Sequence, residues 1–315
     1  MIIAVSACLL GEKVRFDGGH KHFRFLTESL AEHATFVPFC PEHLAFGTPR
    51  PSIRLVHDGP REYVLSNKTE DDVTGALADA SKTELVRLQR TPLCGIIFKA
   101  KSPSCGFGSA KMHLPNGHSD GKADGLFVQM CKEAFPLLPM EEEARLQDAW
   151  LRENFIMQIF AYDAFEQMNA GFKGIRDLVR FHTVNKFLLQ AKDEGLYRQM
   201  GRLVANAEHR PPQELLDEYE RLFKTAIAEK SSLRRTRNVL EHMAGFFKHV
   251  LTPGEKAMLH EQIDDYAAKL LTLMTPITTI RFLATKYDMR YLLDQTFLDP
   301  YPKSMALRSH LESGR

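Results

Sequence analysis

The hydrophobic pattern changes period near residue 139, and this limits the available folds more than any other feature of the chain. Up to Pro139, short β-rich runs alternate with helical stretches and turns of Gly, Pro and Asn. Ile2–Ala7, Thr35–Phe39, Glu62–Ser66 and Gly95–Lys99 predict strands. Between the last two, Thr69–Gln89 predicts a helix capped by Thr69, with Val73, Leu77, Leu85 and Leu88 at helical spacing. Gly125–Phe135 predicts another helix, and Pro136 and Pro139 close the unit. Apolar strands separated by helices call for an α/β fold: a Rossmann-like, mostly parallel sheet with helices on both faces. From Glu141 onward the strand signal fades. Gly171, Gly174, Pro211, Pro212, Pro253 and Pro276 punctuate amphipathic segments, so the second half reads as all-α. The expected division is an α/β domain over 1–160 and a helical domain over 161–315, and 315 residues suffice for two cores.

Composition removes several classes. With 44% hydrophobic and 26% charged residues the chain is neither disordered nor collagen-like. A net charge of +1 gives no global attraction to a polyanion, so any nucleic-acid surface must be local. No stretch approaches the ~18 apolar residues of a membrane span. Val5-Ser6-Ala7-Cys8 superficially resembles a lipoprotein cleavage site, but no basic segment precedes it and the apolar run is short. It reads as a buried first strand of a cytoplasmic protein.

Five cysteines, an odd number thinly spread, argue against a disulfide framework and for a reducing compartment. Three share a context. Cys8 follows the first strand, Cys40 follows Thr35–Phe39, and Cys105 lies just beyond Gly95–Lys99. In an open α/β sheet, ligand sites gather outside the carboxyl ends of parallel strands, so the three can converge. Equally, they can be buried and unconnected, and spacing does not decide between the two. Paired Cys-x-x-Cys spacing for structural zinc is absent. Three thiolates can instead hold an iron–sulfur cluster with one iron free, and Gly11, Gly106 and Gly108 would let backbone amides approach its sulfides. Cys94 precedes its strand and Cys131 lies on an apolar helix face; both read as core.

Several blocks in order carry a resemblance. They are Ser6-Ala7-Cys8-Leu9-Leu10-Gly11, Phe16-Asp17-Gly18, Cys40-Pro41-Glu42, Thr48-Pro49-Arg50 and Ser102-Pro103-Ser104-Cys105-Gly106. Together they resemble the thiouracil desulfidase family over about residues 1–160. Phe181-His182-Thr183-Val184-Asn185-Lys186, Asn238–Lys248 and Asp299-Pro300-Tyr301-Pro302 resemble a YbgA-like helical domain. Asn185 stands where that pattern leads one to expect a second histidine, which puts any metal or acid–base role of the turn in doubt. The pairing of the two domains is similar to that of transfer-RNA 4-thiouridine desulfidases.

The resemblance implies a [4Fe-4S] cluster on Cys8, Cys40 and Cys105, with the fourth iron open, supplied by the cellular iron–sulfur assembly machinery. It implies Glu42 as catalytic carboxylate and Ser102 as active-site serine. The implied reaction is non-redox hydrolysis of 4-thiouridine in tRNA to uridine and sulfide. Free thiouracil or thiouridine as substrate, and a non-catalytic iron–sulfur RNA-binding protein, are the alternatives. From its position alone, without the resemblance, Glu42 reads rather as a first-turn acid of a helix with Pro41 at N1.

Two basic stretches lie in the helical half: Lys173, Arg176, Arg180, His182, Lys186, Lys192 and Arg198, then Lys224, Lys230, Arg234, Arg235, Arg237 and Lys248. They read either as solvated helix faces or as grips for RNA phosphates. Fused to a desulfidase-like domain, they favour tRNA as partner. Arg50, Arg54 and Lys101, beside the cysteine motifs, are candidates for phosphates flanking an extruded nucleotide.

Overall fold

The computed structural model describes residues 1–205, 209–305 and 307–309. The chain forms two compact units, Met1–Gln147 and Asp148–Arg315. The junction precedes a single helix that runs through residue 160 and is N-capped by Asp148, whose carboxylate accepts from the Trp150 and Leu151 amides.

In the first unit the elements are β1 (Ile2–Ser6), α1 (Arg24–Glu28), β2 (Thr35–Phe39), α2 (Pro41–Phe46), β3 (Ile53–Asp58) and β4 (Arg61–Ser66). They continue with α3 (Thr74–Gln89), β5 (Gly95–Phe98), β6 (Ala110–His113), β7 (Ser119–Ala123), α4 (Leu126–Ala134) and β8 (Met140–Glu142). β2-β1-β5-β8 make an all-parallel sheet. Its register sets Ser6 beside Phe39, Val5 beside Ile97 and Phe98 beside Glu142, so the carboxyl ends finish level. Ala4, Ile96 and Phe98 pack with Phe39, Leu88 of α3 and Phe127, Val128 and Cys131 of α4. Ile3, Val5 and Ile97, of opposite parity, are also fully buried, as a parallel sheet covered on both faces requires.

Glu62–Ser66 does not join this sheet. It is β4 of a second one, ordered β4-β3-β6-β7 and antiparallel except for β3–β6. Ile53, Leu55, Val64, Ala110 and Met112 form its core with Leu77 of α3. The helix predicted from Thr69 starts five residues later, at Thr74. Asp72 does the turning work: its Oδ1 accepts from the Thr74 amide at 3.0 Å and hydroxyl at 2.5 Å, while Asp72 bridges to Leu65.

The second unit is helical throughout its described residues. Its helices are α5 (Ala149–Ala170), α6 (Ile175–Val184), α7 (Lys186–Lys192), α8 (Glu194–Ala205), α9 (Pro212–Ala228), α10 (Leu233–Ala244), α11 (Pro253–Ala267), α12 (Met274–Lys286) and α13 (Arg290–Leu293). Phe165, Phe181, Tyr219 and Phe223 form an aromatic core, with ring centroids 5.0–6.4 Å apart. Asn185, at the α6–α7 junction, is a buried brace: Nδ2 donates to Phe181 O and Oδ1 accepts from Thr296. Among the described residues no helix is long and apolar enough to cross a membrane.

Candidate active site

The level carboxyl ends of the parallel strands deliver three cysteines to one place. β1 runs into the tight turn Ala7–Leu10, which carries Cys8. β2 hands directly to Cys40, and β5 leads into the loop that carries Cys105. All three line one cavity of about 500 Å³, and none is in a disulfide. Cys131 is buried in the α4 face of the core, and Cys94, also buried, sits before β5.

Burial, then the neighbouring Cys40, pushes the Cys8 thiol up to about 12, against the opposing pull of Lys99 and Arg15. Burial pushes Cys40 up to about 11, with the His43 amide opposing. Burial and Cys40 push Cys105 well above the ordinary thiol range. Three thiols that resist ionisation and repel one another when charged need a bound cation to become thiolates together. Among the described residues no trio of His, Cys, Asp or Glu converges on a single-ion site. A cavity of about 500 Å³ lined by three thiols has room for a polynuclear group such as an iron–sulfur cluster.

The structure brings Glu42 and Ser102 to the same cavity. Pro41 opens α2, and Cys40 is its N-cap, with Sγ accepting from the His43 amide at 3.4 Å. Glu42 stands in that first turn and lines the cavity. Its Oε2 accepts from Arg50 at 3.0 Å, and its Oε1 accepts from the hydroxyls of Ser102 at 2.7 Å and Ser104 at 2.6 Å. Ser102 Oγ is pinned in turn by the amides of Ser104 and Cys105, at 3.2 and 3.1 Å.

Sequence reasoning missed Ser104. It is fully buried, and its hydroxyl lies 2.6 Å from Glu42 and 3.4 Å from Cys105 Sγ. The signal was available: a serine adjacent to a proposed ligand and two residues from Ser102.

Three further expectations are corrected. Arg50 does not face a phosphate. Its guanidinium is buried and donates to Val14 O, Gly47 O, Thr48 Oγ1 and Glu42. Arg54 is engaged by Asn67 and Glu70. The glycine amides are also taken: Gly106 N donates to Ser102 O at 2.8 Å and Gly108 N to Asp124 at 2.7 Å, while Gly11 N turns back to Cys8 O. Gly106 is instead required by proximity, since a Cβ there would stand 2.8 Å from Ala110 N and 2.9 Å from Ser102 O. Lys101 is exposed at the cavity rim, with φ 64° and its amide on Ser109 Oγ.

In the helical unit the basic stretches divide. His182 and Lys192 are buried, and so is Lys224, which is held by Glu166 and Glu220. Arg198 pairs with Glu194, and Arg235 donates to Ala191 O and Lys230 O. Arg237 pairs with Asp264 and Glu241. Lys186 lies over the Phe187 ring. Lys173, Arg176, Arg180 and Arg234 are exposed, with no side-chain ion pair among the described residues.

Residues 3–143 match the 2-thiouracil desulfurase family, and residues 186–302 match DUF1722, a family described as of unknown function. The chain is 22% identical over 157 residues to the uncharacterized protein YbgA of Escherichia coli (strain K12), covering 50% of this chain and 93% of YbgA. It is 29% identical over 143 residues to the uncharacterized protein YbbK of Bacillus subtilis (strain 168), covering 42% of this chain and 91% of YbbK. A solved [4Fe-4S]-dependent thiouracil desulfidase, TudS, is 28% identical, with a TM-score of 0.38 over 46% of this chain and 93% of that one.

Proposed function

We propose that the chain is a desulfidase of thiolated pyrimidines whose substrate is 4-thiouridine in tRNA, a reading supported by the match of residues 3–143 to the 2-thiouracil desulfurase family beside the match of residues 186–302 to DUF1722. One observation carries the chemistry: a carboxylate and two serine hydroxyls stand in hydrogen-bond contact on the wall of a cavity lined by three thiols.

Cys8, Cys40 and Cys105 would hold a [4Fe-4S] cluster. With three protein ligands such a cluster presents an iron that acts as a Lewis acid toward a soft thiocarbonyl sulfur. Glu42 supplies acid–base chemistry. Arg50 fixes Oε2, leaving Oε1 to work toward the cavity through Ser102 and Ser104. Replacing C=S by C=O consumes one water and releases hydrogen sulfide. Glu42 takes one proton from the attacking water and returns it to the departing sulfur, the hydroxyl that becomes the C=O gives up the second as the C–S bond breaks, and no electrons are exchanged. Ser102, with its oxygen fixed by two backbone amides, orients the water or relays its proton. The exposed Lys173, Arg176, Arg180 and Arg234 support the tRNA substrate, since uncommitted cations are what phosphates attract.

The test is anaerobic reconstitution followed by incubation with bulk tRNA, 4-thiouridine and thiouracil, measuring sulfide and residual 4-thiouridine. The expected protein is brown, loses colour in Cys8→Ala, Cys40→Ala and Cys105→Ala, and desulfurates tRNA. A colourless protein that tolerates all three changes overturns the enzyme reading. Turnover of free base but not of tRNA overturns the substrate.

A further inference from the structure

We propose that Lys99 is a fixed cation of the cysteine cavity and that Glu143, outside the cavity, is the residue that positions it. The cluster as the group it faces rests on the desulfidase reading; the fixed charge itself is read from the geometry where β5 and β8 end.

Lys99 follows β5 directly and lines the cavity, whereas Glu143 follows β8 and is not part of the lining. Backbone as well as charge holds the two together. Glu143 N donates to Phe98 O at 3.1 Å, beside the last register pair of β5 and β8. One Glu143 carboxylate oxygen accepts from the Ala100 amide at 2.6 Å, and the other takes the Lys99 ammonium. From the opposite side, Lys99 N donates to Ser6 Oγ at 2.9 Å, at the end of β1. Lys99 Nζ also donates to Ala100 O at 2.9 Å. An ammonium has three N–H groups, so two are committed to the wall and the third is left for the cavity.

The side chains of this pair are only 16% and 12% exposed. A buried ion pair seldom offsets its own desolvation, so closing the loop explains it poorly. Its orientation explains it better: the positive end faces the sulfurs and the negative end lies behind. Burial and Cys40 push the Cys8 thiol up, to about 12, and of the remaining charges Lys99 acts most strongly on it, ahead of Arg15 and Glu143. The other cations of the lining differ. Arg50 is neutralised by Glu42 within the same lining, and Arg15 lies 3.7 Å from Asp17. Lys21 and Lys101 are exposed, where water and salt screen them. An iron–sulfur core on three thiolates carries net negative charge, which a fixed positive neighbour stabilises in a buried cavity.

The test compares iodoacetate with iodoacetamide, two alkylating agents of similar size that differ by one negative charge. Each is applied to the full chain before reconstitution, at a single pH, and modification of Cys8 is followed by peptide mass spectrometry. The ratio of the two rates cancels the thiolate fraction and reports local charge. Lys99→Met should lower that ratio about threefold or more, and Lys99→Arg should keep it. Lys99→Met/Glu143→Gln, which orphans no buried carboxylate, reads the same direction if the single variant does not fold. Glu143→Gln separates the two roles of the carboxylate. If Glu143 positions Lys99, releasing the lysine lowers the ratio; if it only adds negative charge, removing it raises the ratio. In the reconstituted protein, an EPR-monitored redox titration should show the cluster potential shifted down in Lys99→Met and Glu143→Gln and unchanged in Lys99→Arg. A ratio or a potential indifferent to loss of Lys99, or a ratio raised in Glu143→Gln, overturns the proposal. If no chain takes up a cluster but the ratio falls as expected, the desulfidase reading fails and the fixed cation stands.

Discussion

The Arg50 guanidinium, its side chain 3% exposed, donates to Glu42 Oε2 at 3.0 Å and clamps a carboxylate that is itself only 14% exposed. A pair this deep is costly to break from one side, because the remaining charge stays buried.

Arg50→Met should therefore destabilise the first unit by about 3 kcal/mol, read from urea unfolding. Adding Glu42→Gln should recover most of the loss, since the orphaned charge is then gone. If Arg50→Met unfolds within about 0.5 kcal/mol of the parent, the clamp is not structural.

Ser104→Ala removes the hydroxyl set between Glu42 and Cys105 while leaving Ser102 in place. Turnover of the reconstituted enzyme should fall about tenfold in kcat, with KM nearly unchanged, as for an interaction made in the reaction rather than in binding. A rise in KM at constant kcat would assign Ser104 to substrate binding instead.

Gly125 packs against the cysteine loop. A Cβ there would lie 2.4 Å from the Ser104 carbonyl and 2.8 Å from Cys105 N. Gly125→Ala should cost about 3 kcal/mol or prevent folding, because backbone rather than a flexible side chain must move. Gly75→Ala, in α3 with open space around its Cβ, is the matched control and should gain about 0.5–1 kcal/mol. Equal effects at the two sites would refute the packing account.

His182 gives the helical unit a defined acid response. Burial, then Lys186, lowers it from 6.5 to about 4, and its Nδ1 lies 3.1 Å from the Tyr219 hydroxyl. Above pH 6.5 folded and unfolded chains both carry neutral imidazole, so this stability is fully present. Between 6.5 and 4 the unfolded chain takes up a proton that the folded chain refuses, and stability falls as pH falls, by up to about 3 kcal/mol. His182→Gln, which keeps a partner for Tyr219, should flatten that stretch in chemical denaturation at pH 6.5, 5.5 and 4.5. Parallel slopes for both proteins would exclude His182 as the cause.

The sequence showed that Cys8, Cys40 and Cys105 could converge, because each follows a β-rich run and parallel strands end on the same side, but their spacing left an unconnected arrangement equally open. The second sheet escaped because its strands lack that signature. β3 carries Arg54 and His57 within its run, and β7 is Ser-Asp-Gly-Lys-Ala, a strand only through pairing with β6. Arg50 was legible as a cation beside the site, but its burial depends on Val14, Gly47 and Thr48, contacts without a local pattern. Lys192 and Lys224 look like surface charge in sequence. The first is buried against Asn154, and the second lies between two glutamates, one of them on another helix.

Cys40 is at once the N-cap of α2 and a wall of the cavity, and Glu42 is two residues away in the same turn. Whatever engages that sulfur also sets the tilt of the helix end that aims the carboxylate. Oxidising or alkylating Cys40 would therefore change a cavity wall and a helix cap at once, and with the cap the position of the Glu42 carboxylate.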